Sequence, residues 1–134
     1  MSQKPFAYAS LRVLVIEDEA YTRRIICGLL RQLGFRQIEE AADGASGMLE
    51  FRRTAPDLVL CDVHMEPVDG LAFLTEVRSL NNGQARTPII FLTADSQEET
   101  VMAAKSLAVN GYLVKPISPA MLQAKLGTIM ARYA

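Results

Sequence analysis

Soft metal ligands are scarce in this chain of 134 residues, which has two cysteines and one histidine. Cys27 and Cys61 have no second cysteine or histidine at ligand spacing, which excludes a structural zinc site. Both lie in apolar runs and read as buried free thiols, in keeping with a reducing compartment. A charge surplus is also missing. Fourteen basic residues against fifteen acidic ones leave a formal charge of −1, which gives no nucleic-acid-binding surface. No apolar run approaches a membrane span, and Met1 to Ser10 lacks the apolar core of a signal peptide. The expectation is a cytoplasmic protein with no nucleic-acid or membrane partner. Internal repeats, linkers and low-complexity stretches are absent too. The length suits one domain whose core forms without disulfides or metal. Residues 1–10, with Phe6 and Tyr8, read as a loose polar lead-in, and 11–134 as the domain.

What is present is an alternation. Leu11 to Ile16 is a β-branched run that ends in the acids Glu17-Asp18-Glu19. From Ala20 the period changes, and Ile26, Leu29, Leu30 and Leu33 form one helical stripe that stops at Gly34. Gln37 to Ala42 is a short strand, and Asp43-Gly44 opens a helix carrying Ala45, Met48 and Leu49. Leu58 to Cys61 is a buried strand that ends in Asp62, and Asp69 caps a helix with Leu71, Leu74 and Val77 inward. Pro88 to Thr93 is a fourth strand, and Asp95-Ser96 starts an Ala-rich helix to about Leu107. Gly111 to Val114 is strand five, closed by Lys115-Pro116. Leu122, Leu126, Ile129, Met130 and Tyr133 stripe a last helix.

Strands that are apolar throughout, separated by amphipathic helices, predict a parallel sheet covered on both faces. Right-handed crossovers place every strand's carboxyl end on one edge, where open α/β sheets bind ligands. Glu17, Asp18, Asp62, Thr93 and Lys115 are thereby gathered at one point. Three converging carboxylates repel one another, and a small hard cation such as Mg²⁺ offsets that cost. Asp18 and Asp62 are the expected direct ligands, with Glu17 acting through water. Lys115 adds an ammonium expected to pair with Asp62, and Thr93 a hydroxyl. A cation, an ammonium and a hydroxyl around one carboxylate suit an arriving anion, namely a phosphoryl group transferred onto Asp62.

These residues resemble the receiver domains of bacterial two-component response regulators. The matching pieces are Val13 to Asp18, Asp62…Met65…Pro67…Asp69-Gly70, Thr93-Ala94 and Tyr112 to Pro116. The stretches Arg23 to Ile26, Leu33-Gly34-Phe35 and Glu39 to Gly44 look similar to the single-domain chemotaxis regulator. The resemblance implies a flavodoxin-like, doubly wound α/β fold with strand order 2-1-3-4-5 and five helices. It implies phosphoryl transfer from a sensor kinase's phosphohistidine, with Mg²⁺ on Asp18, Asp62 and the backbone carbonyl of His64. It also implies a switch pair, Thr93 and Tyr112, and a cis Lys115–Pro116 bond that aims the lysine over the site. The signal would leave by the face of the 95–107 helix, strand five and the last helix, to a protein effector. Two departures stand out. Pro67 comes one residue later than the family's usual proline, and His64 and Asp95 occupy its two variable flanking positions. His64 is expected as an exposed loop side chain rather than a general base.

Two enzymes on the same architecture compete with the switch. A flavin phosphate would be repelled by Glu17-Asp18-Glu19, and an aspartyl-phosphate phosphatase needs an aspartate where His64 stands. A non-enzymatic receiver is therefore expected, and the intact set Asp18, Asp62, Thr93 and Lys115 argues against a degenerate docking domain. The alternatives kept are a flagellar-motor-binding regulator and a receiver fragment of a longer regulator, although a chain closing at Tyr133-Ala134 favours a complete protein. In the chemotaxis regulator, lysines on the output face meet an acidic-containing motor peptide. Lys125 keeps one such position, but Glu98, with Glu99 beside it, replaces another. Weak or no binding of a flagellar-switch peptide is expected. A sensor histidine kinase, a histidine phosphotransfer protein or an effector with basic groups is the expected partner.

Overall fold

Two-sided burial is what makes a strand read as an unbroken apolar run, and the three central strands of this sheet show it. The computed structural model describes residues 8–94 and 108–131. Its elements are β1 (Arg12–Ile16), α1 (Ala20–Gln32), β2 (Gln37–Ala41), α2 (Gly44–Thr54), β3 (Leu58–Asp62), α3 (Gly70–Arg78), β4 (Ile89–Thr93), β5 (Gly111–Val114) and α4 (Pro119–Met130). Short 3-10 turns at Tyr8–Ser10 and Gly83–Arg86 precede β1 and β4. All pairings are parallel and the order is β2-β1-β3-β4-β5, the flavodoxin-like doubly wound arrangement. The helix expected over 95–107 lies outside the described residues, as do Asp95, Glu98, Glu99 and Tyr133. Among the described residues no helix is long and apolar enough to cross a membrane.

Successive side chains on a strand point to opposite faces, so each central strand feeds two cores. Val13, Val15, Leu58, Leu60, Ile90 and Leu92 meet Ile26 and Leu30 of α1 and Leu122 and Leu126 of α4. Leu14, Ile16, Val59, Cys61, Ile89 and Phe91 meet Met48 and Phe51 of α2 and Phe73, Leu74 and Val77 of α3. Three helices begin on side-chain caps that satisfy otherwise unpaired amides. Asp43 and Ser46 form a capping box on α2, Asp69 accepts from the Ala72 amide, and Ser118 accepts from the Met121 amide with Pro119 just inside. Cys27 and Cys61 are buried free thiols, as expected.

Three expectations change. The lead-in is not loose up to Ser10, because Tyr8 is buried and stacks on Phe35 with ring centroids 4.5 Å apart. Ala45 and Leu49 of α2 face solvent, Leu49 at 70% exposure, and its inner face is Gly44, Gly47, Met48, Phe51 and Thr54. In α3, Leu71 is only half-buried and Phe73 takes the inner place. Arg78, at the end of α3, carried no expectation. Its guanidinium donates to the carbonyls of Ala85, Thr87 and Ala108 and to Asn110 Oδ1, tying α3 to the entries of β4 and β5.

Candidate functional site

β1 and β3 are adjacent central strands that end level, with Ile16 opposite Cys61. The next residue on each chain is an acid, and parallel pairing brings those acids together. Glu17, Asp18 and Asp62 each place a carboxylate oxygen within 4.8 Å of the others. Glu17 is 1% and Asp62 5% exposed, whereas Asp18 faces solvent. Lys115 enters from β5, where its amide donates to the Thr93 carbonyl at 2.7 Å. Thr93 is itself buried at the end of β4. The sheet edge therefore gathers all five residues that the sequence assigned to it.

The lysine pairs with Asp62 as expected, but its shorter contact is to Glu17. Its Nζ donates to Glu17 Oε1 at 2.6 Å and stands 3.4 Å from Asp62 Oδ2. A lysine reaching in from β5 can contact both strand ends, and the more deeply buried carboxylate takes the shorter contact. The second Glu17 oxygen accepts the Glu19 amide at 3.2 Å, so both oxygens already have protein partners. Burial nevertheless raises the Glu17 pKa to about 7. The Lys115 and Glu19 hydrogen bonds pull it back, and the charge of Asp62 pushes it further up. For Lys115, burial works to lower the pKa, but the Glu17 hydrogen bond and the two carboxylate charges outweigh it and the pKa rises. Burial together with the charges of Asp62 and Glu17 also raises the Cys61 thiol well above its ordinary value. That cysteine is a neutral core side chain.

Among the described residues, three carboxylates against one ammonium leave the edge with unbalanced negative charge, and the Asp62 charge adds to burial in raising the Glu17 pKa. The donors are hard oxygens, which Mg²⁺ prefers, and exposed Asp18 gives access from solvent. The residues present fit that ion. Asp18 also lines an open cleft of about 410 Å³ with His64, Met65, Glu66 and Asp69. His64 is exposed, as expected for a loop side chain. Lys115–Pro116 is cis as expected, and so is Glu66–Pro67. On β5, Tyr112 pairs in register with Phe91 and is 37% exposed, two register steps from Thr93.

Two supports escaped the sequence reading. Gly70, the first residue of α3, lies so close to β3 that a Cβ there would be 2.5 Å from the Asp62 carbonyl oxygen. Its amide also donates to the Val63 carbonyl at 2.9 Å, seating the helix directly beneath the acid. Its place in the Asp69-Gly70 pair was the available signal, read as a helix cap and a turn and not as a close approach to β3. Arg23 of α1 donates to the Glu17 carbonyl at 2.7 Å, and nothing in local spacing announces that contact.

Comparison with known proteins agrees with this geometry. The family model for the response regulator receiver domain matches residues 13–127. The chemotaxis protein CheY-3 of Vibrio cholerae is 32% identical over 123 residues, 92% of this chain and 94% of that protein. The solved structure of V. cholerae chemotaxis protein CheY4 has a TM-score of 0.81 at 29% identity, covering 89% of this chain and 98% of that one. The receiver domain of a sensor histidine kinase from Pseudomonas aeruginosa PAO1 has a TM-score of 0.81 at 30% identity, covering 90% and 98%. It was solved with a magnesium ion coordinated in its active site cleft.

Proposed function

Given that the chain belongs to the response regulator receiver domain family, we propose that it is a phosphorylatable switch whose acceptor is Asp62. The observation that carries this reading is the sheet edge itself, where Glu17, Asp18 and Asp62 converge and Lys115 lies 3.4 Å from the acceptor carboxylate. An Asp62 carboxylate oxygen attacks the phosphorus of a phosphohistidine on a sensor kinase or a histidine phosphotransfer protein. The new O–P bond forms as the donor's P–N bond breaks, and its electron pair returns to the imidazole. Lys115 and the Thr93 hydroxyl offer donors to the arriving phosphoryl oxygens. Asp18, Asp62 and the His64 backbone carbonyl would hold a bound Mg²⁺, with Glu17 beside them, and the ion would supply positive charge to those same oxygens. Asp62 is modified once per cycle, so the protein acts as a stoichiometric switch and not as a turnover enzyme.

A protein donor suits the surroundings. Beside Lys115 lies an apolar groove of about 320 Å³, lined by Ile25, Ile26 and Leu29 of α1 and by Pro116 and Ile117. Such a groove accommodates a helix better than a small phosphodonor. Since phosphohistidine donors of sensor kinases face the cytoplasm, the protein works there. Output leaves by a protein contact beside Thr93 and Tyr112, and Glu98, which stands in the sequence where the chemotaxis regulator has a lysine, disfavours an acidic motor peptide. Acetyl phosphate or beryllofluoride with Mg²⁺ is expected to shift amide signals around Thr93 and Tyr112, and Asp62→Asn to abolish the shift. An unchanged response in Asp62→Asn would sink the assignment.

A further inference from the structure

Arg23 lies in the first turn of α1, and side chains on a helix tilt toward its N-terminus. The guanidinium therefore reaches back over the β1–α1 turn. Its Nη1 donates to the backbone carbonyl of Glu17 at 2.7 Å. Its Nε donates to Glu40 Oε1, on neighbouring β2, at 3.0 Å. The Glu17 amide meanwhile donates to the Ala41 carbonyl at 3.0 Å, so both backbone groups of Glu17 are held from outside its own strand. The peptide carbonyl that Arg23 grips belongs to the bond joining Glu17 to Asp18. Rotating that peptide would swing both carboxylates relative to Asp62.

We propose that Arg23, aimed by Glu40, is a positioning residue that fixes the Glu17–Asp18 peptide and thereby sets the cation-binding geometry with Asp62. This rests on the metal reading given above and adds to it a residue that touches neither cation nor phosphoryl group. Charge alone predicts the opposite sign from positioning. Arg23 is itself a cation near a cation site, so removing its charge without moving the turn would tighten Mg²⁺ binding. Removing a clamp loosens it, as loss of a ligand's supporting hydrogen bond commonly does by 10- to 100-fold.

The test is Mg²⁺ titration of the whole chain by calorimetry, with amide shifts of Glu17, Asp18 and Asp62 as the local readout. Arg23→Gln is expected to bind Mg²⁺ roughly tenfold more weakly than the wild type. Arg23→Lys keeps the charge but cannot span both partners, and it should fall between the two. Glu40→Gln should weaken binding less than Arg23→Gln does. The double variant should be no worse than Arg23→Gln, because both changes release one clamp. Affinity in Arg23→Gln equal to or tighter than the wild type, with the chain folded by circular dichroism, overturns the positioning role. A wild-type chain that takes up no Mg²⁺ overturns the metal reading and the role of Arg23 with it.

Discussion

Gly70→Ala is the smallest change expected to disturb the proposed phosphoacceptor, Asp62, without touching a charged group. A Cβ at this position would stand 2.5 Å from the Asp62 carbonyl oxygen and 2.9 Å from Val63 Cα. Ordinary contact begins near 3.4 Å, so the shortfall is about 0.9 Å against the end of β3. Both obstacles are backbone, so no side-chain rotation relieves the clash. The start of α3 or the end of β3 must move instead. Overpacking of this kind costs about 1–3 kcal/mol, or roughly 3–10 °C in Tm for a domain of this size. Displacing Asp62 by even part of an ångström would also slow phosphorylation, since misplacement of about 1 Å costs on the order of a hundredfold. Gly28→Ala is the control, because nothing lies within 4 Å of its Cβ position and Gly28 sits inside α1. That variant should gain about 0.5–1 kcal/mol from helix propensity. Urea melts and acetyl phosphate phosphorylation of both variants give the two readouts. A Gly70→Ala chain with wild-type stability and wild-type rate would refute the packing reasoning.

Tyr8→Ala should destabilise the chain by about 2–4 kcal/mol through loss of the stack on Phe35, whereas Tyr8→Phe retains the stack and most of the stability. Urea denaturation separates the two, and equal midpoints would return Tyr8 to the lead-in. In chelator, stability should fall as pH rises from about 4.5 through about 7, because the native chain holds the Glu17 proton that the unfolded chain has released. Mg²⁺ competes with that proton, so the Tm gap between Mg²⁺ and chelator should widen with pH across this window, and a constant gap would contradict it. Lys115→Gln leaves Glu17 and Asp62 without the only ammonium that contacts them among the described residues. It is expected to lower Tm in chelator and to uncouple phosphorylation from the Tyr112 amide shift.

Strands β1, β3 and β4 were legible because burial on both faces leaves a run of apolar residues and little else. Helix α2 was legible in its cap and extent but not in its inner face, for a physical reason. Its inner face is made partly of glycine, and Gly47 lets the helix approach until a Cβ there would lie 2.5 Å from Ile16 Cδ1. A face packed through hydrogen atoms carries no hydrophobic signal, so apolar residues such as Ala45 and Leu49 do not mark it. Tyr8 was missed because its partner Phe35 lies beyond a whole strand and helix, where local patterning cannot reach. The site residues were legible because parallel topology maps each strand's last residue to one edge. Which of two carboxylates a lysine from β5 touches first depends on side-chain reach and burial. Spacing alone does not encode that.

Unbalanced charge at a sheet edge is a cost that the rest of the fold must carry. Glu17 is buried beside Asp62 and Asp18, and the one ammonium in contact among the described residues is shared unequally, 2.6 Å from Glu17 and 3.4 Å from Asp62. Phosphorylating Asp62 would replace one negative charge by about two at the far side of that shared lysine. The pull on Lys115 then shifts from Glu17 toward the acceptor, and the lysine's own amide is already bonded to the Thr93 carbonyl at 2.7 Å. Any movement of Lys115 is thus handed to the end of β4, next to β5, which carries Tyr112. A site balanced at rest would have little reason to move when charge arrives. The arrangement here is poised between two partners, and a modest added charge can decide between them.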